Sequence, residues 1–500
     1  MVSVFRDNNR LQLTPLKTFS IEVAIFVAVG IYAALTAITS LNTASAYRLW
    51  GYITLPSCIV AIAYLTTLYY LSRHHSHHHF PALAPTHSPA RTPVRARILA
   101  AFLLITSLAP MYWGVAHRAH TAAPPEHEIG ANLETYVVER SGQLLLHTGT
   151  PYIDAGHLAT PHVADYNPYS PLLAIFGFPT SWWGTHWWTD VRLYLLPATV
   201  LVLLLTWLLA HKPAIPESAL LLLVAVPPVT MNFVAAGIDA LLVALLLLCA
   251  VAAFHDKPAT AALAGLAGGI ALGMKLTALP VVLVVLIALA YQWGAARRPH
   301  TAHPAAHPAA RSAERSAAHP AAQFTVFTVV LLAVTLAAYI PFYLKNPDAM
   351  VENIIHYPSG SAAVTSSAQG GTPGQLIAAT GPVGVWIARA LLFLAGIALV
   401  VWMVKRPPST LVRTLWICAV GLTAAMLLMP ASRFGYLIYP AVLAAGALVA
   451  RDAQEGTRDA QEGTRDAQEG TRDAQEGTRD AQAGIRDMQK GNSCGKNCHE

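Results

Sequence analysis

The sequence predicts an all-α polytopic membrane protein of about twelve membrane segments with a large first external loop. Three observations predict it. Of 500 residues, 55% are hydrophobic and 12% charged, about half the charged share of a soluble domain, and the mean hydropathy is +0.46. The apolar residues are gathered into runs near the ~20 residues that cross ~30 Å of hydrocarbon as a helix. Lys and Arg between those runs fall on alternate connections. The same composition excludes a secreted enzyme, a disordered scaffold and a nucleic-acid binder, because the net charge of +6 is spread over loops rather than gathered on one face.

The apolar runs are 20–41, 50–72, 98–116, 189–210, 218–235, 237–255, 261–274, 276–293, 324–344, 384–404, 411–429 and 435–450. Of these, 261–274 is shorter than a full span. The first run, followed by Ala44-Ser45-Ala46, has the outline of a signal peptide, but its 22-residue core favours an uncleaved anchor. With a cytoplasmic N-terminus, the inside connections (1–19, 72–97, 211–217, 255–260, 294–323, 405–413) carry sixteen Lys or Arg. The outside ones carry Arg48, Arg118, Arg140, Lys345 and Arg433. The positive-inside rule then places both termini in the cytoplasm, and the chain is expected in the plasma membrane.

Three regions follow: 1–97, an N-terminal membrane hairpin with a His-rich linker; 98–450, the main membrane body; and 451–500, a cytoplasmic tail. The body has two long external loops, 117–188 and 345–383, and loops of that length are commonly functional. The first carries Glu126, Glu128, Glu134, Glu139, Asp154 and Asp165 among many Tyr and Trp, with Asp190 just beyond it, and reads as an ordered surface at the membrane interface. The second is rich in Ser, Thr, Ala and Gly and reads as a mobile cover.

The cytoplasmic inserts are different in kind. His74-His75-Ser76-His77-His78-His79 and the His-Pro-Ala-Ala repeats of 294–323 are low-complexity linkers that cannot bury a core. The tail repeats Arg-Asp-Ala-Gln-Glu-Gly-Thr four times from Arg451, then degenerates. Its period of seven has no apolar seam, so disorder is expected. Five cysteines, three of them inside apolar runs, form no disulfide framework, and Cys494 to Cys498 with His499 is at most half a metal site. No metal is expected on this reading.

Ionisable groups at a membrane edge are costly and therefore functional candidates. On this topology Glu134, Glu139, Asp165, Asp239, Lys275 and Arg433 all face the outer leaflet, a set suited to an anionic lipid headgroup and a group needing a base. Each also has a bland explanation: Lys275 and Arg433 can snorkel, and Asp239 can cap its helix.

Several stretches in order resemble glycosyltransferase family 87, the polyprenol-phosphate-sugar-dependent membrane glycosyltransferases of GT-C type that include actinobacterial α-mannosyltransferases. They are Glu134-Thr-Tyr136-Val-Val-Glu139-Arg-Ser-Gly142, His147-Thr-Gly-Thr-Pro-Tyr152, Asp165-Tyr166-Asn167-Pro-Tyr169-Ser-Pro171, Gly237-Ile-Asp239, Gly273-Met-Lys275-Leu-Thr277 and Arg433-Phe-Gly-Tyr436. The resemblance covers residues 98–450. It implies a GT-C-like bundle and transfer of a hexose, mannose by the nearest resemblance, from a polyprenyl-phosphate donor to a lipid or cell-envelope glycan acceptor, with no further cofactor.

It implies a carboxylate base at Glu134 or Asp165. Asn132, Tyr136, Glu139, Tyr152, Tyr166, Asn167, Tyr169, Asp239, Lys275, Arg433 and Tyr436 would bind substrate. The family's loop follows its first helix, whereas here 20–72 reads as an added hairpin, and the family's acidic position aligns with either Asn132 or Glu134. No glycine-rich phosphate loop follows a strand and there is no Asp-x-Asp pair, so a soluble nucleotide donor is not expected. A transporter or flippase of a lipid-linked sugar is the competing class. It would need broken helices in both halves, and only the break at Lys275 to Pro280 is legible.

Overall fold

The computed structural model describes residues 15–38, 45–75, 93–118, 130–297, 309–364 and 368–494. Among these, nine helices are long and apolar enough to cross a membrane. Three come first: α1 (Pro15–Ile38), α2 (Ser45–His75) and α3 (Pro93–His117). The first long loop holds α4 (Leu133–Thr148) and α5 (Phe178–Trp183), after which α6 (Arg192–Leu209) spans.

Next, α7 (Glu217–Val224) and α8 (Pro228–Ala235) form an apolar pair bent by 59°. The bend falls at Val226-Pro227-Pro228, where two prolines remove backbone donors from a continuing helix. Two shorter apolar helices follow, α9 (Ile238–Ala253) and α10 (Pro258–Met274), then the spans on α11 (Leu279–Ala296) and α12 (Ala309–Lys345). The second long loop carries α13 (Pro347–Val351), α14 (Tyr357–Ser359) and α15 (Pro373–Ala378). The spans on α16 (Pro382–Lys405), α17 (Leu411–Leu428) and α18 (Ile438–Cys494) complete the series. The twelve expected segments therefore resolve into nine spans, one bent pair and two short helices.

The short helices occupy the interior. Every residue of α9 except Leu247 is buried, and its Leu and Ala side chains join one core with α10, α11, α17 and the start of α18. Close packing of α10 on α12 depends on small residues four apart. Cβ atoms added at Gly265 and Gly269 would overlap the Phe327 carbonyl and Val334, the close approach that small-residue stripes permit between membrane helices.

The first two helices pack on each other and on the helices that follow. Phe26, Cys58 and Phe102 of α1 to α3 share a cluster with Leu220 and Val224 of α7. Trp50 Nε1 of α2 donates to Thr230 Oγ1 of α8 at 2.9 Å.

Two expectations are corrected. The second long loop was expected to be a mobile cover, yet Asn353, fully buried, ties it to the first. Its Oδ1 accepts from the Asn167 amide at 2.7 Å and its Nδ2 donates to the Ile153 carbonyl at 2.8 Å. Beyond that tie, β1 (Gln369–Gly370) runs parallel to β2 (Ser432–Arg433).

The tail is the second correction. The unit Val449–Glu500, expected to be disordered, is helical through Cys494. Its repeat places Glu four residues after each Arg, and Arg451–Glu455 and Arg458–Glu462 pair at 2.8 and 2.9 Å. Such pairs, with Ala, Gln and Arg as good helix formers, give a helix without an apolar stripe. Residues 298–308 and 495–500, with most of the histidine tracts, Cys498 and His499, lie outside the described residues, as do Glu126 and Glu128.

Candidate active site

The site begins at the N-terminus of α4. Asn132 is the N-cap in extended conformation (φ −107°), but its side chain makes no cap bond and its Nδ2 instead donates to the Tyr47 hydroxyl of α2 at 3.0 Å. Glu134 lies in the first turn, where the helix dipole favours the carboxylate. Gly149, left-handed at φ 75°, ends the helix. Midway, Gly142 meets the backbone of Gly177 so closely that any Cβ would overlap it, which holds α4 against the 171–177 turn.

Glu134 pairs with Arg433, which is almost 300 residues away in sequence. Arg433 lies in β2 opposite Gly370, and a Cβ on Gly370 would overlap Arg433 itself. Glycine at that position lets the second loop lie directly against the cation. Both side chains keep some exposure, 13% for Glu134 and 19% for Arg433. The Arg433 Nε is buried and has no hydrogen-bond partner among the described residues.

One layer deeper is a second pair. Asp239 opens α9, but Gly237 takes the N-cap position and Asp239 does not cap the helix. Its Oδ1 accepts from Lys275 Nζ at 2.7 Å and from the Tyr439 hydroxyl at 2.6 Å. Lys275 is extended (φ −162°, ψ 133°) between α10 and the 276–278 turn, so the helix break delivers the ammonium inward. Lys275 Nζ is 5.5 Å from the Tyr169 ring centroid and 4.8 Å from that of Tyr436, and Arg433 Cζ is 5.1 Å from the Tyr436 centroid. The Tyr436 ring thus serves both cations, whose attraction to its face strengthens as water is excluded.

Four segments therefore bring Glu134, Asp239, Lys275 and Arg433 to one place, with Tyr436 against both cations and Tyr169 against Lys275. Tyr152 and Asn167 support that group from below: the Tyr152 hydroxyl donates to the Tyr169 carbonyl at 2.9 Å, and the Asn167 Oδ1 accepts from the Tyr169 amide at 3.1 Å.

The remaining expected residues are placed elsewhere. Glu139 is buried and receives both Arg118 amino groups at 2.8 and 2.7 Å; Arg118 also reaches Asp190, which Arg192 holds in turn. Burial alone would lower the Arg118 pKa, but the two carboxylates outweigh it and hold it above its ordinary value. Tyr136 lies under the same guanidinium, at 4.2 Å. This cluster folds the loop. Asp165 accepts from the backbone amide of His162 at 2.8 Å and faces Arg140 at 3.6 Å, so it closes its own turn. Tyr166 stacks on Tyr357 at 4.5 Å, its hydroxyl toward Glu352.

Tyr439 and Tyr47 were missed. A tyrosine beginning an apolar run looks like any interfacial aromatic. Among the described residues, no three His, Cys, Asp or Glu side chains are grouped to hold a metal ion.

No family model and no curated protein matches the chain. Among solved structures it is similar to ArnT from Cupriavidus metallidurans bound to undecaprenyl phosphate, at 17% identity and a TM-score of 0.40, over 71% of this chain and 59% of that one. The apo form of the same protein gives 15% identity and a TM-score of 0.40, over 71% and 60%. The chain spans about three fifths of the length of the solved proteins it matches.

Proposed function

We propose that this protein is a membrane glycosyltransferase that moves a hexose from a polyprenyl-phosphate donor to a lipid or cell-envelope glycan acceptor at the external face. The observation that carries the reading is the partly open Glu134–Arg433 pair, with its unpartnered Arg433 Nε, joined through the Tyr436 ring to the buried Asp239–Lys275 pair. A guanidinium with a spare donor at headgroup depth suits a phosphate oxygen, and its planar fork suits it better than an ammonium would. The resemblance of the Glu134 and Arg433 stretches to family 87 supports the polyprenyl donor and points to mannose.

In this reading the donor phosphate takes Arg433 from Glu134. The released carboxylate accepts the proton of the acceptor hydroxyl as that oxygen bonds to the anomeric carbon. The bond from that carbon to the phosphate oxygen breaks on the opposite side, and the lipid phosphate leaves with the electron pair. A β-linked donor gives an α-linked product. Lys275 lies below Arg433 and adds to the positive field that meets the growing phosphate charge, while Asp239 and Tyr439 fix its position. Reconstituted protein should transfer radiolabelled hexose from polyprenyl phosphate to extracted envelope lipids. Failure with all common polyprenyl-phosphate hexoses would refute the reading.

One observation favours the transporter alternative. The bend between α7 and α8 is a second discontinuity beside the one at Lys275. Movement of a lipid-linked sugar across proteoliposomes without formation of a new glycosidic bond would establish that class instead.

A further inference from the structure

The N-terminal hairpin, which resembles nothing in the family, contributes a side chain to the site. Tyr47 stands in the first turn of α2. Its helix is held there by Trp50, fully buried and bonded to Thr230 of α8, and by a cluster that joins Ala33, Ala46 and Leu49 to Met231 and Val234 of α8. α8 in turn leads through Gly237 into Asp239.

The Tyr47 hydroxyl accepts from Asn132 Nδ2 at 3.0 Å, two residues before Glu134. Asn132 stands at the N-cap of the helix whose first turn holds Glu134, and Glu134 pairs with Arg433, so Tyr47 is joined to that pair through one hydrogen bond and one helical turn. A phenol has one proton to give. With Asn132 as donor, that proton remains available, and among the described residues no acceptor takes it. The Arg433 Nε proton is buried without a hydrogen-bond acceptor, on the side chain that pairs with Glu134. Two donors without acceptors in one site, the second belonging to a guanidinium, call for an oxyanion.

Resting on the reading of a polyprenyl-phosphate donor, we propose that Tyr47 is a donor-binding residue whose hydroxyl gives a hydrogen bond to a non-bridging oxygen of the lipid phosphate, alongside Arg433. The hairpin is then part of the donor site. This goes further than the family resemblance, which begins at residue 98.

The test uses the full-length protein in detergent, with polyprenyl monophosphate and the uncharged polyprenol as probes. Tyr47→Phe removes only the hydroxyl and keeps the ring. A hydrogen bond to a charged oxygen corresponds to roughly tenfold or more in affinity, so Tyr47→Phe should weaken polyprenyl phosphate binding by about tenfold. Polyprenol binding and the thermal midpoint should match wild type. Transfer at saturating donor should stay within about twofold while the donor KM rises.

A strut that acted only through Asn132 on Glu134 would lower transfer at saturating donor and leave the preference for phosphate over alcohol unchanged; that result overturns the proposal. Equal phosphate binding by Tyr47→Phe and wild type also overturns it, and leaves the donor reading intact if Arg433→Ala still weakens binding. Wild type that does not distinguish polyprenyl phosphate from polyprenol overturns both.

Discussion

Replacing Glu134 by Gln should move two measurements in opposite directions. The amide keeps the shape but cannot take a proton, and a positioned general base contributes about 10²–10⁴-fold, so single-turnover transfer should fall at least 100-fold. Donor binding should improve. In the wild type, phosphate must displace Glu134 from Arg433 in a site where the two side chains are only 13% and 19% exposed. A hydrogen bond to a charged group contributes roughly 1.5–3 kcal/mol and a neutral one about 0.5–1.5 kcal/mol. The amide oxygen keeps a hydrogen bond to the guanidinium but not the attraction between two charges, so about 1–2 kcal/mol is no longer lost on displacement, a factor of roughly 5–30 in affinity. Equilibrium binding of polyprenyl phosphate to Glu134→Gln should tighten by that factor. Unchanged or weaker binding would refute the displacement of Glu134 by the phosphate, and transfer within threefold of wild type would remove Glu134 as the base.

Arg433→Lys should lose roughly 10- to 100-fold in kcat/KM for the donor at normal expression, because an ammonium cannot reproduce the fork; steady-state kinetics retaining wild-type values would show that one point charge suffices. Asp165→Asn should stay within about threefold of wild-type transfer, since Asp165 serves its own turn; a loss of two decades would move the base there. Lys275→Met alone strands a buried carboxylate, a change that costs about 3–5 kcal/mol, and Asp239→Asn added to it should recover most of the lost thermal stability. Additive losses in that double variant would mean the two are not coupled. Deletion of residues 451–500 should leave transfer unchanged, because the site is built wholly from residues before 440; lost activity in a correctly inserted truncation would contradict this.

The helices were legible because hydrocarbon imposes a length and an apolar composition on whatever crosses it. Where the structure departs from the twelve runs, the cause is local: two prolines bend 217–235, and the extended Lys275 separates α10 from α11. The convergence of Glu134, Asp239, Lys275 and Arg433 was legible from the order of familiar words and from a topology that put all four at one leaflet. Which loop acid keeps an open face was not. Glu139 and Glu134 lie on the same helix and look alike in sequence; Arg118 and Arg192, packed from other segments, bury the one beside Asp190 and leave the other to Arg433. Tyr47 was hidden for a related reason, since nothing local tells a tyrosine that enters a site from one that meets lipid. The tail misled because its missing apolar seam was read as missing structure, although a single helix with Arg–Glu spacing needs no seam.

The shortness of α9 and α10 has a consequence for how such a protein meets membranes of different thickness. At about 1.5 Å per residue, their 16 and 17 residues reach roughly 24–26 Å, short of the ~30 Å hydrocarbon. A lipid-facing helix of that length would strain the bilayer, but α9 touches almost nothing except protein. The longer helices have the length to cross the bilayer, while the shorter α9 and α10 carry Asp239 and Lys275 at their ends. Two lengths that are usually one are thereby separated, and the depth of the Asp239–Lys275 pair can change by a helical turn without any change in the membrane the protein fits.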